Sequence, residues 1–298
     1  MASVSPVIIT NLIGGLGNQM FQYACGRSLS LRTGQPLRLA TDQFTSYRMH
    51  NGFELQRVFN IVASLATEAE VQQLLGWQAS PALRRLFGRP AMRWFTGNRW
   101  GNEPYFQFWP GLASLQGPLY LHGYWQTERY FQEHTDQIRA DFTFRMDWDT
   151  QDEAVRQRMH AQPSASLHVR RGDYTNAKNQ EVYGICGLDY YRAAIHLLRE
   201  RVPGVRLFAF SDDPDWVEAY LSAEFGPLET VRHNSGIRSA HDLRLMSQAD
   251  HHIIANSSFS WWAAWLNSTR NKIVVAPRHW FLNGTDDRDL IPSSWIRI

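Results

Sequence analysis

The second half of the chain alternates between short apolar runs and segments with helical spacing, and this alternation constrains the fold more than any other feature. The runs SLHV, VRLFAF, HHIIA and KIVVAP predict buried strands, and LETVRH predicts an edge strand. Helical patterns such as DYYRAAIHLLRER and SFSWWAAWLN separate these runs. Strands that alternate with helices form a parallel sheet with helices on both faces. Right-handed crossovers then bring every strand-to-helix loop to one edge of the sheet, where ligands bind.

The first half starts with the same alternation. VIITNLI predicts a strand, GGLGN predicts a turn, and QMFQYACGRSLSLRTG predicts a helix that ends at Gly34. PLRLA and LYLHGYW predict further strands, and TERYFQEHTDQI predicts a helix. Residues 60–117 are irregular and rich in Trp, Arg, Gly and Pro, which indicates an insertion. We therefore predict an α/β fold with two Rossmann-type domains, residues 1–155 and 156–298, which face each other across a cleft suited to a two-substrate reaction.

Composition restricts the partners and the compartment. The formal net charge of the 298 residues is only +2, which gives no basic face for duplex nucleic acid. The two cysteines make no disulfide framework, the N-terminus lacks the pattern of a signal peptide, and no apolar run is long enough to span a membrane. We expect a cytoplasmic protein in a reducing compartment.

Arginine is concentrated within the predicted insertion. The positions are Arg84, Arg85, Arg89, Arg93 and Arg99. A solvated helix face is the interpretation that this pattern favours. The alternative is contact with an anionic membrane surface, which would place the protein peripherally at the inner face of a membrane.

The motif HVRRGDY, residues 168–174, ends the first predicted strand of the second half. Because side chains alternate along a strand, His168 and Arg170 share one face, and Arg171 lies on the other. One arginine can therefore reach a ligand while the other pairs within the domain. A guanidinium fork matches a diphosphate through charge-assisted hydrogen bonds. Asp173 could hold an arginine, cap the next segment or accept a proton, and a buried Arg–Asp pair is the structural alternative for the whole motif.

The turn GGLGNQ, residues 14–19, joins a predicted strand to a predicted helix. Gly15 and Gly17 expose backbone N–H groups at the helix N-terminus, which suits an anion, and Asn18 adds a neutral donor. The spacing fits neither the dinucleotide-binding pattern G-x-G-x-x-G nor a P-loop. A tight turn without a ligand explains the glycines equally well.

Three further groups of polar residues allow either helix capping or ligand binding. Asp213 and Asp215 could hold a metal, but Pro214 between them favours an N-cap with proline in the first turn. One residue of the Asn256–Ser258 segment must cap the helix that follows, and the others could point donors at a phosphate. Asp242 could cap its helix or accept two hydrogen bonds from guanine.

Taken together, GGLGNQMFQYA, GYWQTERYF, HVRRGDY, FSDDPDW and NSSFSWWAAWL resemble the bacterial-type α-1,2-fucosyltransferases, glycosyltransferase family 11. The motifs span nearly the whole chain, and their combination is specific although each alone is weak. The resemblance implies a GT-B-like fold, GDP-β-L-fucose as the donor and a β-galactoside-terminated oligosaccharide or lipid-linked glycan as the acceptor. It also implies inversion to an α-1,2 linkage, with no cofactor and no metal.

The resemblance also assigns roles to individual residues. Arg170 would bind the β-phosphate, and Asn18 would lie beside the reacting centre. His168 and Asp242 would hold guanine. The donor-binding set implied in this way also includes Gly15, Gly17, Asn256, Ser257, Ser258 and Phe259. The segment Tyr124, Trp125 and Gln126 would face the acceptor.

Some alternatives stay open at the level of sequence. Asp173 is a candidate catalytic base, and Glu128 in QTERYF is another. Twelve tryptophans and a plausible phosphate site also fit a protein that binds glycans or nucleotides without catalysis. A third interpretation is a metal-dependent sugar transferase that uses Asp213 and Asp215.

Overall fold

A computed structural model of the chain describes residues 5–45, 51–172, 182, 184–226 and 228–298. The chain divides into two compact units. The first comprises Met1–Arg145 with Arg288–Leu290, and the second comprises Met146–Asp287 with Ile291–Ile298. The chain thus leaves the first unit shortly before the predicted boundary at residue 155. No helix in the described ranges is both long enough and apolar enough to cross a membrane.

The first unit is built on a parallel sheet. Among its described residues the sheet has five strands, β1 (Ile8–Asn11), β2 (Leu37–Ala40), β3 (Ser64–Leu65), β4 (Trp100–Asn102) and β5 (Leu119–His122). Their order is β3-β2-β1-β5-β4, and every pairing is parallel. The apolar runs VIITNLI, PLRLA and LYLHGYW supply β1, β2 and β5, as predicted. All four residues of β1 are buried, so this strand forms the centre of the unit.

Helices and 3-10 turns connect these strands. The α-helices are α1 (Leu16–Thr33), α2 (Leu55–Val58), α3 (Glu68–Leu75), α4 (Pro81–Phe87) and α5 (Thr135–Asp141). The 3-10 helices are Asp42–Thr45, Gly76–Ala79, Pro90–Phe95, Pro110–Ser114, Glu128–Tyr130 and Gln132–His134. Gly34 ends α1 as predicted, because it adopts a left-handed conformation (φ 71°) and its N–H bonds to the carbonyl of Ser30.

The predicted single helix over TERYFQEHTDQI is wrong in its first half. Two 3-10 turns occupy this stretch before α5 begins. The side chain of Thr127 accepts the N–H of Arg129, which closes a tight turn, and Phe131 interrupts the helical path with a φ of −138°. Local side-chain bonding therefore overrides the helical spacing of the sequence.

The region from 60 to 117 is ordered by caps and by a buried arginine. Thr67 and Glu70 form a reciprocal capping box at the start of α3. Arg84 of α4 is buried, and its guanidinium donates to both carboxylate oxygens of Asp42 at 2.8 Å and to the hydroxyl of Tyr120 at 2.9 Å. The expectation that the arginine run forms one solvated helix face is therefore wrong for Arg84.

A short return of the chain completes the first unit. Asp289, in the Arg288–Leu290 segment, accepts a hydrogen bond from the backbone N–H of Phe108 at 3.1 Å. Its other carboxylate oxygen lies 2.8 Å from the guanidinium of Arg129. The C-terminal part of the sequence therefore contributes to the packing of the N-terminal unit.

The second unit is built on a second parallel sheet. In the described part of this unit the sheet has six strands, β6 (Ser164–Val169), β7 (Arg206–Ser211), β8 (Glu229–Val231), β9 (His251–Ile253), β10 (Val274–Ala276) and β11 (Ile296–Arg297). Their order is β11-β10-β9-β6-β7-β8, and every pairing is parallel. LETVRH forms the edge strand β8, as predicted, and the pairing of β11 at the other edge is an addition to the predicted strands.

Helices surround this sheet. They are α6 (Thr150–His160), α7 (Leu188–Arg201), α8 (Pro214–Trp216), a π-helical turn (Val217–Ser222), α9 (Ala223–Phe225), a 3-10 turn (Gly236–Arg238), α10 (Ser239–Met246) and α11 (Ser258–Leu266). Trp261 and Trp265 of α11 are buried and lie nearly parallel, with ring centroids 6.3 Å apart. They fill the core, as their spacing predicts.

Candidate functional site

Strand order places two loops side by side at the carboxyl edge of the second sheet. Strand β6 lies between β9 and β7, so the strands that follow β6 in sequence are added first on one side of it (β7 and β8) and then on the other (β9 and β10). In open α/β sheets such a switch point opens a crevice beyond the carboxyl ends of the strands. The loop after β6 carries Arg170, and the loop after β9 carries the Asn256–Ser258 segment. Both groups were predicted from sequence, and the topology brings them to one edge.

Arg170 and Arg171 both have acidic partners in their own unit. Arg170 Nη1 lies 3.0 Å from Asp212 Oδ2, and about a quarter of its side chain is exposed (27%). Arg171 pairs with Asp213 at 3.1 Å, and its guanidinium lies 4.5 Å from the centroid of the Trp216 ring. The alternation of side chains along the strand predicts that one of the two is paired and that the other is free for a ligand. The structure pairs both, and Arg170 remains accessible at the sheet edge.

His168 offers a buried polar atom at the same edge. Its side chain is buried, and its Nδ1 has no hydrogen-bond partner among the described residues. Burial and the neighbouring Arg170 lower the pKa of the ring to about 4. The ring centroid lies 6.0 Å from that of Phe259. A neutral imidazole with an open nitrogen beside an aromatic ring can accept or donate one hydrogen bond to a planar ligand.

The polar residues after β9 have different roles. Ser257 caps α11, because its hydroxyl accepts the N–H of Phe259. Asn256 is buried, and its amide donates to the carbonyls of Gly184 and Trp280, both at 3.3 Å. Ser258, the first residue of α11, is partly exposed. The structure therefore shows a folding role for Asn256 and a capping role for Ser257.

Asp242 lies inside α10 and does not cap it. The N-cap position is Arg238, and the Asp242 side chain makes no capping bond. Asp242 Oδ1 instead accepts the amide of Asn234 at 3.0 Å, and the same amide nitrogen lies 2.8 Å from Asp152 Oδ1. The capping alternative for Asp242 is therefore wrong, and one Asn234 amide links two buried carboxylates.

Asp152 is the centre of this polar network. It lies in α6, is fully buried, and has ring nitrogens of His233 and His241 at 2.8 and 2.6 Å. The pKa of Asp242 is raised to about 8, mainly by burial and also by the Asp152 charge, while the Asn234 hydrogen bond and the Arg238 charge act in the opposite direction. A carboxyl group poised in this way can take up or release a proton when a hydrogen-bond donor binds.

Two sets of side chains carry atoms that could bind a divalent cation. Asp213 caps α8 through the N–H of Trp216, which confirms the predicted cap, and Asp215 pairs with Arg232 at 2.8 Å. Within the described ranges, Asp149, Asp152 and His241 also place ligand atoms within 4.8 Å of one another. Arg238 bonds to Asp149, and histidines already contact Asp152, so a cation would have to replace these donors.

The first sheet has its own switch point, between β1 and β5. The loop after β1 carries the glycine turn, in which Gly14 has a φ of +79° and Gly15 occupies the N-cap position of α1. Gly17 is buried in the first turn of the helix. Asn18 Oδ1 accepts the side-chain amide of Gln126, which follows β5, at 2.7 Å. Two residues predicted to be functional from separate motifs are therefore hydrogen-bonded to each other.

The segment after β5 has a strained backbone that is held by a carboxylate. Trp125 has a φ of +56°, and its indole ring is fully buried against Tyr130. Glu103 accepts the N–H of Tyr124 at 2.7 Å and that of Trp125 at 3.0 Å, one on each oxygen. Burial raises the pKa of Glu103 to about 7, against the effect of these two hydrogen bonds. Tyr124 is exposed, whereas the Trp125 ring serves the core.

Asp173, the predicted base, lies outside the described residues. Glu128, the alternative, begins a 3-10 turn in the first unit and is partly exposed.

The profile of Glycosyl transferase family 11 matches residues 100–296, about two thirds of the chain. The chain belongs to glycosyltransferase family 11.

This family 11 glycosyltransferase has curated relatives along most of its length. It is 34% identical to an α-1,2-colitosyltransferase of Escherichia coli, with 98% of this chain and 99% of that protein covered. It is 27% identical to galactoside α-(1,2)-fucosyltransferase 1 of Ateles belzebuth, with 85% of this chain and 63% of that protein covered.

A solved structure supports the fold of the glycosyltransferase. The crystal structure of fucosyltransferase NodZ from Bradyrhizobium matches it with a TM-score of 0.56 at 13% identity. The match covers 88% of this chain and 92% of NodZ. Together with the two parallel sheets, it confirms the predicted α/β, GT-B-like fold.

The sequence analysis of this glycosyltransferase missed three side chains at the two sheet edges. Glu103 stands alone in an irregular stretch, and no motif marks it. Asp152 falls in DWDTQDE, an acidic stretch in which no motif marks it. Asn234 follows the edge strand β8 without any neighbouring signal. Each acts through a contact with a residue distant in sequence, which spacing rules do not detect.

Proposed function

We propose that this glycosyltransferase transfers L-fucose from GDP-β-L-fucose to the 2-hydroxyl of a terminal β-galactoside, with inversion to an α-1,2 linkage. Membership of family 11 supports sugar transfer, and the activities of the relatives support the α-1,2 linkage. The observation that carries the donor assignment is a pair of groups at the end of β6, an accessible arginine and a buried imidazole nitrogen that has no hydrogen-bond partner among the described residues. The buried carboxyl group of Asp242 in α10 adds to this assignment.

The second unit is the proposed donor-binding unit. His168 Nδ1 and the Asp242 carboxylate would hold guanine, because guanine offers adjacent N–H donors that suit a carboxylate. Ser258 and the exposed start of α11 would donate to the diphosphate, with Phe259 packed beside His168. Asn256 and Ser257 would contribute by holding this loop in shape. Gly15 and Gly17, in the glycine turn of the first unit, are further proposed contacts of the sugar-nucleotide donor.

Arg170 is the proposed principal contact of the leaving group. During transfer, the bond between fucose C1 and the β-phosphate oxygen breaks, and negative charge develops on that phosphate. A guanidinium that stabilises this charge lowers the activation free energy of transfer, and its removal should raise that activation free energy by about 3 kcal/mol or more. Arg170 Nη1 lies 3.0 Å from Asp212 Oδ2. A diphosphate carries more negative charge than one carboxylate, so it can compete for the fork.

The first unit is the proposed acceptor-binding unit. The galactose 2-hydroxyl attacks fucose C1 from the face opposite the leaving phosphate and gives up its proton. Asn18, fixed by Gln126, would orient the reacting hydroxyl, and exposed Tyr124 would contact the sugar ring. Trp125 would act by anchoring this segment. Asp173 is the proposed base, and Glu128 is the alternative.

The activity assay combines the protein with GDP-fucose and lactose and detects fucosylated product by mass spectrometry. We expect one added fucose per terminal galactose. Arg170→Lys keeps the charge but loses the fork, so transfer should fall by about a hundredfold. Arg171→Lys is the matched control, because Arg171 pairs with Asp213 and packs on Trp216. Near-normal transfer by Arg170→Lys would remove Arg170 from the mechanism.

Two outcomes would replace this proposal. GDP binding by calorimetry, without transfer or donor hydrolysis on any β-galactoside, would identify a non-catalytic nucleotide-binding protein. Loss of activity in excess chelator, restored by a divalent cation, would identify a metal-dependent transferase.

Colitosyl transfer is a second candidate, because the relative at 34% identity is an α-1,2-colitosyltransferase. Colitose is the 3-deoxy counterpart of L-fucose, so the two donors differ by one hydroxyl group. Competition between equal concentrations of GDP-fucose and GDP-colitose decides between them. A product mixture dominated by the colitosylated acceptor would replace fucose in the proposal and leave the α-1,2 chemistry intact.

A further inference from the structure

One face of the first unit exposes large aromatic side chains over a continuous stretch of chain. We call residues 76–99 the aromatic–arginine surface. The exposed fractions are 70% for Trp77, 81% for Trp94 and 66% for Phe95, and Leu86 is also exposed. A cluster of exposed aromatic residues in one short segment is unusual on a soluble surface and indicates an interaction site.

Two contacts join parts of this segment that are separated in sequence. The Trp77 ring lies edge-on to Phe87, with centroids 5.4 Å apart, so the 3-10 helix Gly76–Ala79 packs on α4. Gln78 donates its amide to the carbonyl of Phe95 at 3.1 Å, which brings the two ends of the segment together. The segment also has its own inward-facing apolar residues, Leu83 and Met92, which pack against the core. The exposed aromatics are therefore additional to those that hold the segment in place.

The charge of the segment is entirely positive. Between Glu70 and Glu103 the sequence contains five arginines and no acidic residue. Arg84 is neutralised by Asp42, but Arg85 and Arg89 are exposed and form no ion pair among the described residues. The surface therefore combines exposed aromatic rings with unneutralised guanidinium groups.

We propose that the aromatic–arginine surface docks the protein on a lipid bilayer that contains anionic phospholipid. Tryptophan and phenylalanine insert at the level of the headgroups, where an apolar ring meets polar surroundings. Arginine near an anionic bilayer is attracted to the phosphate charges. Since no helix in the described part of the chain can span a membrane, this attachment is peripheral.

The same observations disfavour a second copy of the chain as the occupant. A two-fold dimer through this face would bring the same patch from both subunits together. Two sets of unneutralised arginines would then face each other, and like charges oppose such an interface. An anionic bilayer instead complements both the charge and the aromatic rings.

The test measures binding of the protein to sedimented unilamellar vesicles, with no donor or acceptor present, so the result does not depend on the proposed function. We expect binding to vesicles of phosphatidylglycerol and phosphatidylcholine that weakens as salt rises, and little binding to phosphatidylcholine alone. Arg85→Gln with Arg89→Gln should weaken binding by roughly thirtyfold, at about fivefold for each basic residue near the surface. Trp94→Ser with Phe95→Ser should weaken it by at least about tenfold.

Matched controls come from the second unit. Ile237→Ser with Leu282→Ser removes two other exposed apolar side chains, and Arg270→Gln with Arg278→Gln removes two other exposed arginines. Both double variants should bind vesicles like the parent protein. Thermal melts followed by circular dichroism verify that every variant is folded.

Three results would overturn the proposal. In the first, the protein binds neutral and anionic vesicles equally. In the second, both surface variants bind vesicles like the parent protein. In the third, the protein binds no vesicles and sediments as a dimer that the Trp94 and Phe95 substitutions dissociate.

Discussion

The buried carboxyl group of Asp242 leads to a specific prediction for the pH dependence of donor binding. Burial and the Asp152 charge raise its pKa to about 8. To accept two N–H groups of guanine, it must be ionised. Its folded-state pKa is raised, so the free protein holds it protonated below about pH 8, and binding must expel that proton. Affinity for a guanine nucleotide sugar should therefore rise as pH increases towards 8.

The magnitude follows from the titration of this one group, whose pKa is about 8. The ionised fraction is about one half at pH 8 and about one hundredth at pH 6, and apparent affinity scales with the competent fraction. The dissociation constant for GDP-fucose should thus be about fiftyfold higher at pH 6 than at pH 8. Asp242→Asn should bind weakly at every pH and lose this dependence.

Calorimetric titration with GDP-fucose between pH 6 and 8 measures the effect. The sugar diphosphate has no proton that titrates in this range, unlike free GDP, so the nucleotide does not mask the protein group. Asn234→Ala removes the hydrogen bond that lowers the Asp242 pKa, so the midpoint should move up. Asp152→Asn removes the neighbouring charge, so the midpoint should move down. Asp215→Asn, an exposed carboxyl, is the control and should move nothing.

Two outcomes refute the reasoning. One is affinity that stays flat across this pH range in the parent protein. The other is a midpoint that moves in the same direction in the Asn234 and Asp152 variants, since the two contacts have opposite effects on the charge.

Three further predictions concern the first unit. Arg84→Ala should lower the free energy of unfolding, measured in urea, by about 2–3 kcal/mol. This loss is smaller than that expected for a fully buried ion pair, because the partner Asp42 is partly exposed. The control Arg85→Ala, at an exposed position, should change the free energy of unfolding by under about 0.5 kcal/mol. Gly14→Ala should lower the free energy of unfolding by about 1–2 kcal/mol and lower kcat by about tenfold. The reason is that Gly14 has a φ of +79° and that a Cβ there would lie 2.6 Å from the side-chain amide of Asn18. Unchanged kinetics would exclude a role for this geometry in catalysis. Glu103 loses its charge below about pH 7, so the acceptor KM should rise there with little change in kcat, and Glu103→Gln should give a high acceptor KM at every pH; a KM independent of pH in the parent protein contradicts this.

Much of the fold follows from local patterns. Strand and helix periodicity locates the strands of both sheets except the short β3, β4 and β11, and it identifies β8 as an edge. Gly34 ends α1 because a left-handed position favours glycine. Strands β3 and β11 are two residues long, and β4 (WGN) contains no apolar run, so only their neighbours define them.

The candidate site was less predictable, because its chemistry depends on contacts across the sheet edges. Arg170 is conspicuous in the sequence, but its partner Asp212 follows a different strand, so both arginines of the motif proved to be paired. The raised pKa of Asp242 depends mainly on burial and also on the charge of Asp152, which comes from the helix before the second sheet begins. Burial and through-space charge of this kind require the fold to be known first.

The return of the chain through Arg288–Leu290 limits how this protein can exchange parts with its relatives. A chimera joined at a single point after Arg145 would take Asp289 from one parent and its partners, Phe108 and Arg129, from the other. A functional hybrid therefore needs compatible residues at these positions, or a second crossover that moves the short tail segment together with the N-terminal half. Recombination within the family should be constrained by three residues near the end of the gene as much as by the obvious junction in its middle.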